Sequence, residues 1–591
     1  YIDFEGGSDD NDGASRAAPF KHHPWDANAK GKAADCAGKH TYVFKRGITY
    51  RGSLTVNEDG APGNPIILTS DPAWGEGEAV ISGAEIVRDW KRGADNKAIP
   101  EPDNVWHADL DYAPRCVWVS GRDGITRIPL AREPNWKVTD PDDVKSGWWH
   151  WNYPTGMPFD VFTTAGGRGK LHLGIDTDHV TKPAEYYQDA ILWTEHGWVM
   201  GAPYPARVRV VDQEKKGLGF EGRWGDADSY KIVKFNRYFL EDKPQYLDDP
   251  DGEFWFDKEG KRLYVRLPGG ADPNTVRVEA AKHQNLIDAR RMNHVHVTGL
   301  TFRFTNVYWN LDGVPYRDGD AFDPACIRLM GAGAGIRVAN CSFEHVNAAV
   351  FLRAGGPKES IDKVVIEDNE IAWTDRGGIH VLDGSAWGEV FPNCGLLYDV
   401  RIMRNKLSQI GMRPTRFNLG FAIDVMSART LEVAGNILDK LYGGGINVSG
   451  SKRNSAATDR PFTRILIHHN KVTDPLLSND DFGGIETWQG GPAYVYDNVS
   501  GNPGGYRNFG LLEDKKPAWA RFGHAYYLDG AFKNYHFNNI AWGKSKDPMS
   551  RLGNTAAFQE IHSYQNTFFN NTIYNFVKGT RRQAPQAGRD K

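Results

Sequence analysis

Through the second half of the chain, apolar and polar residues alternate in short runs, and run after run ends in an asparagine. "VVIEDN", "ILIHHN" and "AYVYDN" are examples. Each is followed by an apolar residue, a polar gap and a small-small-apolar step such as "GGIHV" or "GGIETW". Alternation of this kind places successive side chains on opposite faces of a strand. Helical periods of useful length are absent. The asparagines are Asn340, Asn369, Asn405, Asn436, Asn470, Asn498, Asn539 and Asn571, at gaps of roughly 28 to 41 residues, the length of one solenoid coil with a variable loop. Asparagine tolerates left-handed backbone and bonds to its neighbours, so these positions are predicted corners whose side chains stack along an axis. The pattern predicts an all-β fold, a right-handed parallel β-helix, because crossovers of that hand dominate between parallel strands.

The repeat divides the chain into three. Residues 1–87 carry extended apolar runs between turn residues ("HTYVFKRGITYRG", "NPIILTS", "AVISGAE") and read as the first coils. Residues 88–280 lose the repeat and carry Trp clusters and strands such as "ARVRVVD" and "GEFWFDKEGKRLYVRLPGG". They are expected to form an inserted β-rich, sandwich-like domain. Residues 281–591 are the main β-helix with its functional face, ending in a polar tail, "TRRQAPQAGRDK", expected to fray.

Aligning the coils on the small-small-apolar step produces a column just after it: Phe351, His380, Asp424, Asn447, Glu486, Tyr527 and Gln559. The preceding apolar residue points inward, so the column points outward. Coils stack at about 4.8 Å, which sets Asp424 and Glu486 roughly 9–10 Å apart, and Asp529 in the next coil roughly 5–8 Å from Glu486. Paired carboxylates at such distances are what glycoside hydrolysis needs: a protonated acid for the leaving oxygen, and a nucleophile or a base for water. Asp481, just before "GGIETW", is either a further acid/base or sugar-binding carboxylate, or a turn residue capping a corner. His524, His380, Trp488, Tyr527 and Asn447 are the candidate substrate-binding residues around the four candidate catalytic carboxylates Asp529, Glu486, Asp481 and Asp424.

Composition narrows the partners. The 591 residues carry a net charge of −4, without the basic footprint of a nucleic-acid binder. No apolar run is long enough to span a membrane. Many glycines (65) and aromatics (Trp 19, Tyr 24, Phe 28) suit a β-rich protein that handles sugars. Five cysteines without C-x-x-C spacing argue against zinc, and no cofactor is expected, although a carboxylate-rich face could hold Ca²⁺. The chain opens at Tyr1 without Met or an apolar leader, which reads as a mature or trimmed chain and an expected secreted or periplasmic location.

Several phrases carry a family resemblance. "VSGRDGITRIPLAREPNW", "LDDPDGEFWFDKEGKRLYVRLPGG", and "DDFGGIETW" followed by "HAYYLDG" are similar to segments shared by β-helical glycoside hydrolases with an inserted β-domain. The families resembled are 120 (β-xylosidases) and 141 (α-L-fucosidases and xylanases). The resemblance spans most of the chain and implies that Asp529 and Asp481 are catalytic carboxylates. The sequence departs from the pattern at Glu486, where those families often show Tyr; Glu486 has either taken a catalytic role or contacts a substrate group. The leading expectation is a hydrolase of a plant or algal polysaccharide or its oligosaccharides. A polysaccharide lyase acting on a uronate-containing glycan and a non-catalytic β-helical glycan binder are the alternatives.

Overall fold

The computed structural model describes all residues except 122–123, 153–160, 164–169, 197–199, 221–231, 233, 308–323, 385–394, 414–419, 451–463, 512–516, 547–554 and 584–591. The expected polar tail lies largely outside the described residues. Among the described residues, helix is confined to short turns such as Gly31–Ala34 and Ala184–Tyr187, and nearly everything else that is regular is strand.

Three parallel sheets wind into a β-helix. Each full coil runs through a strand of the first sheet, a strand of a middle sheet, an asparagine corner, a strand of the back sheet and a second corner. One coil reads Ala348–Arg353, Ser360–Glu367, Glu370–Ala372, and the next begins at Gly377–Leu382. Strands pair in parallel with their counterparts one coil away, as Val350–Arg353 with Ile379–Leu382. Alternate residues of successive solenoid strands fill one continuous apolar interior: Val350, Ile379, Ile423, Ile446, Ile485, Tyr526 and Phe558 belong to it from the first sheet alone.

The first coils are separated from the rest in sequence but not in space. Leu54–Thr55 pairs with Ile287–Asp288, Ile66–Leu68 with Val295–Val297, and Val80–Ser82 with Thr301–Arg303. Between them the chain leaves the solenoid and builds antiparallel sheets. One joins Ala84–Val87, Arg277–Ala281, Val117–Gly121 and Gly124–Ile128; a second joins Lys91–Arg92, Trp106–Asp109, Arg262–Arg266 and Glu253–Asp257. A third, of eight strands, centres on Ile191–His196, Met200–Asp212 and Arg237–Glu241. The insertion has its own apolar clusters, one of which takes in Phe304 and Val307 of the solenoid and fixes the two together.

The asparagine corner differs from the sequence expectation in one respect. The left-handed residue is the one before the ladder asparagine: Asp368, Arg404, His469, Asp497, Asn538 and Asn570 all have φ between 52° and 56°. The asparagine itself turns inward. Asn405 donates its backbone N–H and its Nδ2 to Oδ1 of Asn436 at 2.9 and 3.0 Å, and its Nδ2 also reaches the Ile366 carbonyl at 3.0 Å in the previous coil. Asn369, Asn436, Asn470, Asn498 and Asn539 repeat this. Asn340 does not belong to the ladder: it occupies the exposed left-handed position, and Cys341 stands where the asparagine would, giving only its amide to Asn369.

The small-small step has a steric cause. A Cβ on Gly445 would lie 2.1 Å from the Gly484 carbonyl of the next coil, and one on Gly378 would lie 2.4 Å from that of Ala422. Replacing Asn436 with alanine removes one acceptor and two donors from a fully buried row, leaving Asn405 and the Ile402 carbonyl unsatisfied. A loss of at least about 3 kcal/mol is expected, measured by denaturant unfolding; an unchanged midpoint would show that the ladder contributes nothing.

Candidate functional site

The first sheet sets the column in register: Arg328, Phe351, His380, Asp424, Asn447, Glu486, Tyr527, Gln559 and Arg581 are paired coil to coil. These side chains point away from the apolar interior, as the alternation requires. They are nevertheless not a solvent face. His380, Asp424 and Asn447 are each 1% exposed and Glu486 is 3% exposed. Pointing out of the core is not pointing into water when a second layer packs along the flanking corners. Here Val144 of the insertion packs with Tyr442 and Leu477. Lys145 donates to the Ser478 carbonyl at 2.9 Å, and Arg521 and Lys544 both meet Asp142.

Polar groups buried this way need partners, and the column supplies several. Asn447 donates through Nδ2 to Asp424 Oδ1 at 2.8 Å. His380 Nε2 lies 2.9 Å from the Phe421 carbonyl. Glu486 Oε2 accepts from the Gly483 amide at 3.3 Å, within its own strand.

Tyr527 is the centre of the acidic part. Its hydroxyl donates to Asp481 Oδ1 at 3.0 Å. Its phenol is pushed well above the ordinary range, first by burial and then by the negative charges of Asp481, Asp529 and Glu486. Three of the four candidate carboxylates therefore act electrostatically on one hydroxyl, and Asp481 is hydrogen-bonded to it. Glu486 is in register with Tyr527, and Asp529 lies two residues further along Tyr527's own strand, in register with Trp488. Asp481 arrives from the corner before Gly483–Trp488, in left-handed backbone at φ 62°. Both Asp529 and Trp488 are half-buried. His524 opens the Asp529 strand; its Nδ1 accepts from the Ala556 amide at 3.2 Å, and its ring lies 5.6 Å from that of Tyr527. Asp424 is not part of this group: it sits two coils away from Glu486, with Asn447 between them.

The insertion holds the Asp481 corner from behind. Lys145, fully buried, joins Glu195 at 2.6 Å, and Arg237 ties Glu195 to Asp143, so the amine that grips Ser478 is itself fixed by an ion network. Asp375 is the counterpart of Asp481 three coils earlier, and its environment is different. It accepts from Arg127 of the insertion at 2.5 and 3.0 Å and from the Cys116 thiol at 3.6 Å. It lines an interdomain cavity of about 290 Å³ with Arg132, Trp136, Glu241 and Arg413. Sequence reading missed Lys145, Arg127 and the Tyr527–Asp481 bond. The phrase "TDRGGIHV" marks the Asp375 corner, but no local signal marks partners hundreds of residues away.

No family model matches the sequence, and no curated protein does. Among solved structures, a protein described as a glycoside hydrolase aligns over 96% of this chain and 95% of its own, at a TM-score of 0.62 and 15% identity. A complex of XylC with xylose aligns over 96% and 85%, at a TM-score of 0.43 and 12% identity. The first likeness shows a shared fold: this chain has the architecture of a known glycoside hydrolase.

Burial pushes the Asp375 carboxyl up, but Arg127, with Arg413, outweighs it and holds the group below its usual 3.8. A carboxylate lowered by folding adds stability above its unfolded value that is lost as pH falls through the folded one. Asp375→Asn is expected to lower stability at neutral pH by about 2 kcal/mol, discounted because Arg127 keeps part of its surface in water. It should also flatten the loss of stability below about pH 4. Denaturant unfolding across pH checks both; an unchanged acid limb would remove the pair from the account.

Proposed function

We propose that the protein is a glycoside hydrolase that cleaves a plant or algal polysaccharide or its oligosaccharides with carboxylates of the first sheet. The observation that carries this reading is the grouping of three carboxylates about one buried tyrosine: Tyr527 donates to Asp481, Glu486 is in register with Tyr527, and Asp529 lies two residues along the same strand. Glu486 and Asp529 lie one coil and two residues apart on one face, a diagonal of about 8 Å between their Cα atoms. Side chains that rise from the sheet and lean toward each other across such a diagonal can flank a glycosidic oxygen. One then protonates the leaving oxygen while the other attacks the anomeric carbon or draws a proton from water. Tyr527, kept protonated, fixes the third carboxylate, Asp481, beside them. Trp488, half-buried next to Asp529 in register, is placed to pack against a sugar ring.

The hydrolase fold seen in the structural relative supports the reading, and so does the resemblance of "DDFGGIETW" and "HAYYLDG" to glycosidase segments. Glu486→Gln and Asp529→Asn are each expected to cut turnover on a cleaved glycan by at least ~10³-fold with folding intact, because each removes an acid or nucleophile from the transition state. Near-normal rates in both variants would place the chemistry elsewhere. Products that absorb in the ultraviolet on digestion of a uronate polymer would mean unsaturated ends, and would replace hydrolysis with lyase chemistry.

A further inference from the structure

At many of the back-sheet strands, a residue at or next to the strand's end is also left-handed. Over much of the solenoid this corner holds Gln409, Lys440, Asp474, Asn502 and Asn575, all polar. Beside the insertion the same corner holds Phe304, His345 and Trp373, at φ 62°, 54° and 58°. Bulky rings rarely adopt this conformation. Phe304 is compensated by packing: it is buried, with its ring 4.6 Å from that of Trp118 in the insertion. Trp373 is not. Its indole stacks on His345 at 5.8 Å with the planes 10° apart, yet it remains 43% exposed. Strained backbone that holds a large ring in water calls for a reason other than core packing.

Phe304, His345 and Trp373 line one wall of an open cleft of about 980 Å³ between the back sheet and the insertion strands Val117–Gly121 and Gly124–Ile128. Ser120, Glu279, Arg303 and Glu344 line the rest with polar groups, together with Arg127 and the exposed Arg277; among the described residues every charge but that of Arg277 has a partner. Arg303 lies 2.8 Å from both Glu344 and Glu78; Glu279 meets Arg51 at 2.5 Å and accepts from Ser120 at 2.6 Å. Burial and the nearby Arg127 charge lower the His345 imidazole to about 4, so it is neutral at neutral pH. The cleft therefore offers an aromatic surface bordered by hydrogen-bonding groups, with Arg277 the one charge that lacks a partner among the described residues. A pyranose ring, apolar on its C–H face and hydroxylated at its rim, has the complementary chemistry.

We propose that this cleft is a second glycan-binding site, in which Trp373 is the stacking platform for neutral sugar units of a polysaccharide. It is distinct from the carboxylate cluster, since the coil entered through Trp373 lies three coils, about 14 Å along the axis, from that of Glu486. The proposal rests on the glycan-hydrolase reading only for its ligand class. A polymer held here would be tethered beside the reacting face.

Affinity electrophoresis through gels containing arabinoxylan, mixed-linkage β-glucan or polygalacturonate tests it, with aryl-glycoside turnover and circular dichroism measured on the same preparations. Retardation by at least one neutral polymer is expected for the unmodified protein and for Glu486→Gln. Trp373→Ala should weaken it by about tenfold or more, Trp373→Phe should keep most of it, and both should leave aryl-glycoside turnover unchanged. No retardation by either neutral polymer, retention only by polygalacturonate, or equal retention of Trp373→Ala would each overturn the proposal. So would turnover in Trp373→Ala falling in step with binding. Retardation that depends on Trp373 in a protein that cleaves no glycoside would uphold the cleft while sinking the hydrolase reading.

Discussion

Hydrogen bonding between stacked asparagines is the constraint on which the molecule depends. In each coil from Asn369 to Asn539 one side chain satisfies the amide behind it, donates ahead to the next asparagine and reaches back to a carbonyl. A buried row of this kind is costly to leave unsatisfied and so admits one registration of each coil on the next. Slipping a strand by one residue would send its apolar set outward and its polar column into the core. The ladder on one side of the solenoid thus determines which side chains stand together on the other, Glu486 beside Tyr527 and Trp488 beside Asp529.

Register alone would leave a polar column open to water. The column is nevertheless buried, and the insertion packs on the corners that flank the first sheet, through the apolar contact of Val144 with Tyr442 and Leu477 and through buried charges. Lys145 reaches across the boundary to a backbone carbonyl, and Arg127 reaches across it to Asp375. Polar residues that would be unremarkable on a wet sheet become partners in a dry one, where electrostatic interactions are stronger. The elevated Tyr527 phenol is the consequence seen most directly, because burial and three carboxylates act on it together.

Much of this was legible in the sequence for local reasons. The repeated phrase carries its own period, so the coil count, the inward apolar set and the column from Phe351 to Gln559 could all be aligned by eye, and the register agrees. Asn340 departs from the expectation because the corner needs an inward asparagine preceded by a left-handed residue, and at this coil the asparagine occupies the second role. The packing on the column's flanking corners was not legible, because its contacts join residues 333 apart, as in Lys145 and Ser478, or 248 apart, as in Arg127 and Asp375. Nothing in a strand's period reports what covers its outer face. Trp373 shows the same limit, since only its backbone angle and exposure separate it from an ordinary aromatic.

We propose that the ladder's register assembles a reacting centre from Glu486, Asp529 and Asp481 around Tyr527. The most direct measurement is a crystal structure of the Glu486→Gln variant with an oligosaccharide it binds but cannot cleave. A glycosidic oxygen lying between residue 486 and Asp529, above the Tyr527 hydroxyl, is the predicted result. An oligosaccharide seated with none of these three carboxylate positions near its glycosidic oxygen would contradict the account.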